Sequence, residues 1–144
     1  MYKSFLVPTD GSKLSLAAVK GAAFFAKTLG AKITLLTVIE PYNYAAINEY
    51  RPESIEDYDE RMLAMAEDRL AEAQGIVEDY DVPVTTMAVK NFSPAEAIMA
   101  TATASGCDCI FMASHGRKGL MALILGSETQ RVLAYSKLPV IVYR

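Results

Sequence analysis

The sequence predicts a three-layer α/β fold, in which a five-stranded parallel sheet lies between two layers of helices. Five short apolar segments alternate along the chain with four segments of helical periodicity. Such alternation favours a parallel sheet with right-handed crossover connections. Several of the short segments are almost continuously apolar, which is typical of strands that helices cover on both faces. A chain of 144 residues is ordinary for one core, so we expect a single domain over residues 1–144.

The first strand is predicted over residues 4–8, where an apolar run stops at a proline followed by an aspartate and a glycine. Ser12 is the expected N-cap of the first helix. Gly30 is expected to end that helix, because a helix C-terminus favours a residue that tolerates positive φ. The spacing predicts an apolar stripe on this helix made of Leu14, Ala18, Ala22, Phe25 and Leu29.

Residues 32–39 are rich in β-branched side chains and predict the second strand. Between it and the second helix lies a segment without periodicity, and we expect residues 42–51 to be the most mobile part of the chain. Ser54, with Asp57 three residues later, marks the start of the second helix. Its predicted apolar stripe is Leu63, Ala66, Leu70, Ala73 and Val77.

The second half of the chain repeats the pattern, with strands predicted over residues 82–89, 109–113 and 139–143. Ser93, Pro94 and Glu96 together supply the cap, first-turn proline and capping-box glutamate of the third helix. Gly106 is expected to end it. A shorter fourth helix is predicted over residues 127–135.

Charge and cysteine content narrow the possible functions. A net charge of -3 and a pI near 5.2 give no basic field for a phosphate backbone, so nucleic-acid binding is not expected. Cys107 and Cys109 lack the spacing of a zinc site or a disulfide framework and are expected to be buried thiols. The sequence shows no leader-like start and no apolar run near the ~20 residues of a membrane helix, so we expect a cytoplasmic protein without membrane insertion.

Two segments that follow predicted strands are candidates for ligand binding, because ligands of parallel sheets bind at the carboxyl ends of the strands. The first, after strand one, contains Pro8, Thr9 and Asp10. The second begins at Ala113 and continues to the start of the fourth helix. Its glycines would let backbone N–H groups approach a polyphosphate, and a helix N-terminus favours anions. An ordinary turn with a capping box of Ser127 and Gln130 explains the same residues.

These residues also resemble a known family. The segments LVPTDGS at residues 6–12, LTVI at 36–39, MASHG at 112–116, LGS at 125–127 and LPVIV at 138–142 are similar to those of the universal stress protein family, end to end. ATP-binding members carry the motif G-x2-G-x9-G-[ST], and the corresponding residues here are Ala113, Gly116, Gly126 and Ser127. The departures are Ala113 for the first glycine and Phe92 where many members have glycine.

The resemblance implies a Rossmann-like fold of the adenine-nucleotide alpha hydrolase-like type that binds ATP, with Asp10 as the residue that would hold Mg²⁺ when the nucleotide brings it. It further implies that the backbone at Val38 meets the adenine and that Gly116, Gly126, Ser127 and Thr129 hold phosphates. The full candidate set for the nucleotide is Pro8, Thr9, Asp10, Val38, Ala113, Gly116, Arg117, Gly126, Ser127, Glu128 and Thr129.

Three functions remain open from the sequence. The first is an ATP-binding stress-response regulator that forms a homodimer through strand five and acts on an unknown downstream protein. The second is a dimeric interaction protein of the same family that binds no nucleotide. The third, a slow ATPase, is disfavoured because the chain has no G-x4-G-K-[ST] loop and no segment that pairs a nucleophile with an adjacent base at a recognisable spacing. His115, the single histidine, is expected to be structural or peripheral.

Overall fold

A computed structural model describes residues 1–44, 53–117 and 125–144 of the chain. These residues form five strands and four helices in strict alternation. The elements are β1 (Ser4–Pro8), α1 (Lys13–Leu29), β2 (Lys32–Ile39), α2 (Ile55–Glu78), β3 (Val84–Lys90), α3 (Pro94–Ala104), β4 (Cys109–Ala113), α4 (Ser127–Tyr135) and β5 (Val140–Tyr143). Most of the segment predicted to be mobile, residues 45–51, lies outside the described residues.

The sheet confirms the predicted class. All four strand pairs are parallel, and the strand order is β3-β2-β1-β4-β5. The chain therefore builds outward from β1 to β3 and then crosses back to place β4 on the other side of β1. β5 forms one edge of the sheet and β3 forms the other.

Two apolar cores cover the two faces of the sheet. One lies under α1 and α2 and is built around Phe5, Leu35 and Phe111, which are fully buried. The other lies under α3 and α4 and includes Leu36 and Ile110. Cys107 and Cys109 are buried free thiols, as expected. No helix in the described part of the chain is long and apolar enough to cross a membrane.

Most helix ends follow the sequence signals. The side chains of Ser12, Ser54 and Ser93 each accept a hydrogen bond from a backbone N–H of the first turn. Gly30 ends α1 at φ 67°, and its N–H reaches the carbonyls of the last turn. The fourth helix differs, because its N-cap is Gly126 and no side chain caps it. The predicted capping box of Ser127 and Gln130 is therefore absent; the Gln130 side chain donates to the Leu125 carbonyl instead.

The predicted apolar stripes were only partly correct. On α1, Phe25 and Leu29 are 45% and 44% exposed. The helix is rotated so that short side chains face the sheet, namely Ser15, Ala18, Val19, Ala22, Ala23 and Ala26. These small residues allow close helix-to-sheet packing, and the Phe25 ring contacts Phe111 from the rim at a centroid distance of 5.7 Å. On α2, Leu63 lies at the margin of the buried face and is 46% exposed. β3 begins at Val84, two residues later than predicted.

Candidate functional site

The site lies where the chain changes direction across the sheet. β1 and β4 are neighbours, but the connection after β1 leads towards β2 and the connection after β4 leads towards β5. Such a switch point leaves a crevice outside the carboxyl ends of the two strands. Residues 9–12 follow β1 and residues 114–117 follow β4, so the fold brings both predicted segments to this crevice.

Direct hydrogen bonds join the two segments. The backbone N–H of Arg117 donates to Oδ2 of Asp10 at 2.7 Å, and Nε of Arg117 donates to the Asp10 carbonyl at 2.8 Å. The N–H of Gly126 donates to the Ser114 carbonyl at 2.8 Å, which holds the start of α4 against the segment after β4. Asp10 of the first predicted segment and Arg117 and Gly126 of the second thus belong to one cluster.

Asp10 is the acidic group of this cluster. It is half-buried, and its Oδ1 accepts the backbone N–H of Ser12 at 2.9 Å. Burial alone would raise the pKa of the Asp10 carboxyl, but hydrogen bonds from the side chain and backbone of Ser12 and from the backbone of Arg117 outweigh it. The pKa is lowered as a result, and the carboxylate is ionised at neutral pH.

The glycines of this cluster allow neighbouring atoms to lie close to their backbone. A Cβ on Gly116 would lie 2.5 Å from Oδ2 of Asp10, and a Cβ on Gly126 would lie 3.1 Å from both Cα and Cβ of His115. Gly126 has φ -60°, so its requirement is space and not an unusual backbone angle. Gly11 requires glycine for two reasons. Its φ of +77° disfavours other residues, and an added Cβ would lie 2.9 Å from Cγ of Arg69.

The N-terminus of α4 faces this crevice without a side-chain cap. Gly126 is its N-cap and Ser127, the first helical residue, is exposed. The unsatisfied N–H groups and the helix dipole make such an end favourable for an anion.

Other predicted residues are engaged in holding the site together. The Thr129 hydroxyl is buried and donates to the Ala113 carbonyl at 3.0 Å. A carboxylate oxygen of Glu128 accepts the N–H of Ala95 at 2.8 Å, which ties α4 to the start of α3. The Thr9 hydroxyl is within 3.0 Å of the Ser15 hydroxyl, and Thr9 is also buried. In these positions their side chains orient the two segments.

Ala113, Pro8 and Val38 contribute mainly backbone to the region. Ala113 ends β4, has its side chain in the core under α1 and α2, and is not among the residues with positive φ. Alanine is therefore compatible with the backbone angle at this motif position. Pro8 ends β1, and Val38 pairs with Val89 near the end of β2; both are half-buried.

One side chain at the cluster was not predicted. Arg69 comes from α2 and lies across Gly11, next to Arg117. In the sequence it is one of many charged residues on an amphipathic helix. Nothing local distinguishes it, because its position depends on how α2 packs beside α1.

The family model described as "Universal stress protein family" matches residues 1–144 of the chain. The chain belongs to this family. Universal stress protein MJ0577 of Methanocaldococcus jannaschii is 28% identical over 156 residues, which cover 100% of this chain and 96% of that protein. Its structure superimposes with a TM-score of 0.83 at 30% identity, over 99% of this chain and 95% of that one.

Two more distant family structures share the fold. A universal stress protein solved in complex with cAMP has a TM-score of 0.75 at 23% identity, covering 99% of this chain and 97% of that one. The universal stress protein from Archaeoglobus fulgidus in complex with dAMP has a TM-score of 0.72 at 17% identity, covering 99% and 98%.

Proposed function

We propose that this universal stress protein binds ATP in the crevice between β1 and β4 and acts as a cytoplasmic regulatory homodimer. One observation carries the proposal: the uncapped N-terminus of α4, the closely packed Gly116 and the ionised Asp10 converge at the switch point of the sheet. Together they offer backbone donors for phosphates and one acidic group. The family structures with cAMP and dAMP support an adenine nucleotide as the ligand class.

The proposed roles follow from position. Backbone N–H groups at Gly116 and Ser127, with the Ser127 hydroxyl, would hold phosphate oxygens. Gly126, whose N–H donates to the Ser114 carbonyl, would keep the start of α4 in place and leave room for the phosphates. The backbone at Val38, with Pro8 and Thr9, would line the base and ribose end. Asp10 would hold Mg²⁺ together with phosphate oxygens, since a single carboxylate suffices when the substrate supplies the other ligands. No group of three or more acidic, histidine or cysteine residues that could hold a metal unaided occurs within residues 1–44, 53–117 and 125–144.

A regulatory role fits the side chains better than a catalytic one. The His115 ring nitrogen Nδ1 is 3.2 Å from the neighbouring Ser114 hydroxyl, and Ser114 itself is buried. That pair is not orientated by a third group in the described part of the site, as an activated nucleophile requires.

Calorimetric titration with Mg-ATP tests the proposal. Wild-type protein should bind, and Asp10→Ala should weaken binding by about tenfold, because the variant loses one charged contact and keeps the backbone donors. Ala113→Gly should bind as tightly as wild type, since the alanine methyl group packs in the core and leaves the crevice unchanged. Absence of binding in both wild type and Ala113→Gly would favour the dimeric interaction protein that binds no nucleotide.

The homodimer is expected to form through β5, the exposed edge of the sheet. The carbonyls of Pro139 and Tyr143 accept N–H groups of the β4 side. Hydrogen-bonding direction alternates along a parallel strand, so the N–H groups of Val140 and Val142 point away from β4. Such an edge favours pairing with a second copy across a two-fold axis.

Light scattering at micromolar concentration should give twice the 15.7 kDa chain mass. Val142→Pro should shift the protein towards monomer, because proline removes an outward donor without touching the β4 pairing. A monomeric wild type, or a Val142→Pro variant that remains fully dimeric, would contradict dimerisation through this edge.

A further inference from the structure

Two arginines from different elements meet over Gly11. The position of a Cβ on Gly11 would be 2.9 Å from Cγ and 3.2 Å from Cδ of Arg69, and 3.1 Å from Nη2 of Arg117. Arg69 belongs to α2, whereas Arg117 follows β4. The absence of a side chain at Gly11 is what allows the Arg69 stem to lie against the backbone there and approach Arg117.

The positive charges of Arg69 and Arg117 outnumber the negative charge of Asp10 around Gly11. Arg117 directs Nε to the backbone carbonyl of Asp10 and its own N–H to the Asp10 carboxylate, so its terminal guanidinium nitrogens are not used in either bond. Neither Arg69 nor Arg117 belongs to an ion pair within 4.0 Å in the described residues. Two guanidinium groups thus share the neighbourhood of one carboxylate.

This excess of positive charge contributes to a change in the pKa of Arg69. Partial burial, followed by the positive charge of Arg117, lowers the pKa of the Arg69 guanidinium, and Asp10 opposes that shift only in part. Like charges held close together disfavour each other unless an anion lies beside them. The arrangement is therefore suited to a multiply charged anion.

We propose that Arg69 and Arg117 form a guanidinium pair that binds the terminal phosphates of a polyphosphate and makes the site selective for ATP over AMP. The proposal rests on the proposed nucleotide site and adds its specificity. Arginine binds phosphate oxygens through two parallel N–H bonds, which makes a pair of them an effective clamp for a phosphate chain.

The selectivity for ATP over AMP follows from the side of the sheet from which Arg69 reaches the crevice. Arg69 reaches the crevice from the helix layer of α1 and α2, whereas α4 belongs to the layer on the other face of the sheet. A chain of three phosphates can extend from the N-terminus of α4 towards the arginine pair. In this arrangement the single phosphate of AMP would bind at α4 and would gain little from Arg69.

The test compares three ligands with three variants. Affinities for Mg-ATP, AMP and inorganic tripolyphosphate are measured by calorimetry for wild type, Arg69→Gln, Arg69→Lys and Arg61→Gln. Arg61 lies on the same helix, is exposed and pairs with Glu53, so Arg61→Gln removes the same charge away from the crevice. Thermal unfolding of each variant confirms that the fold is retained.

Arg69→Gln should lose about tenfold or more in affinity for ATP and for tripolyphosphate, because one charge-assisted contact disappears. Its affinity for AMP should change less than about twofold, and Arg69→Lys should recover part of the ATP affinity. Arg61→Gln should resemble wild type with every ligand.

Equal losses for ATP and AMP in Arg69→Gln, or no loss for either, would overturn the arginine pair and leave the nucleotide site in place. Wild-type protein that binds tripolyphosphate through Arg69 but no adenine nucleotide would refute the nucleotide site and support the pair. Wild type that binds none of the three ligands would overturn both.

Discussion

Gly126→Val is expected to abolish ATP binding, with a loss of at least about 100-fold, in a protein that remains folded. A Cβ at this position would lie 3.1 Å from Cα and Cβ of His115 and 3.4 Å from the Ser114 carbonyl. The two valine methyl groups would force the start of α4 away from the segment after β4 and break the 2.8 Å bond from Gly126 N–H to Ser114. Loss of two or more charge-assisted contacts to phosphate corresponds to a change of this size.

Gly75→Val is the matched control. Gly75 lies on α2, is exposed, and has no heavy atom within 4 Å of its Cβ position. The same substitution there should leave ATP affinity unchanged. Calorimetry with Mg-ATP provides the measurement, and circular dichroism checks the fold. Unchanged ATP affinity in a folded Gly126→Val would refute the phosphate-binding turn.

Phe111→Ala is expected to have the largest effect on stability, lowering the free energy of unfolding by about 3–5 kcal/mol. Phe111 lies on the central part of β4 and is fully buried. Its ring contacts those of Phe5, Phe25 and Tyr143 at centroid distances of 6.3, 5.7 and 6.2 Å. Truncation would leave a cavity that these rings, which come from three different elements, cannot fill without moving the sheet or α1.

Phe92→Ala is the matched control, since the Phe92 side chain is 64% exposed. It should change the free energy of unfolding by less than about 0.5 kcal/mol. Urea titrations of both variants, followed by circular dichroism, give the comparison. A destabilisation of Phe111→Ala no larger than that of Phe92→Ala would contradict the description of the core under α1 and α2.

The order and type of the elements could be predicted because their signals are local. Apolar runs, the serine caps at Ser12, Ser54 and Ser93, and the glycine after α1 act within a few residues of chain. The buried face of α1 could not be predicted in the same way. Alanines face the sheet there because they allow close packing, and a periodicity that favours large side chains selects Phe25 and Leu29 instead.

The part of the candidate site that one local motif supplies could be predicted from the sequence. The motif spacing from Ala113 to Ser127 identified residues that the fold does bring to one crevice with Asp10. Sequence could not show that Glu128 anchors α3, because that contact joins residues 33 positions apart. Arg69 was missed for the same reason, since only the packing of α2 beside Gly11 places it near Arg117.

The most direct test of the nucleotide site is a nuclear magnetic resonance titration of ¹⁵N-labelled protein with Mg-ATP. The largest amide shifts should fall on residues 9–12, 114–117 and 126–129, with Gly116 and Gly126 among them. Gly30, the C-cap of α1, and Gly75, in the last turn of α2, lie away from the crevice and should not shift. Shifts confined to the opposite end of the sheet, or no shifts at millimolar ATP, would contradict binding between β1 and β4.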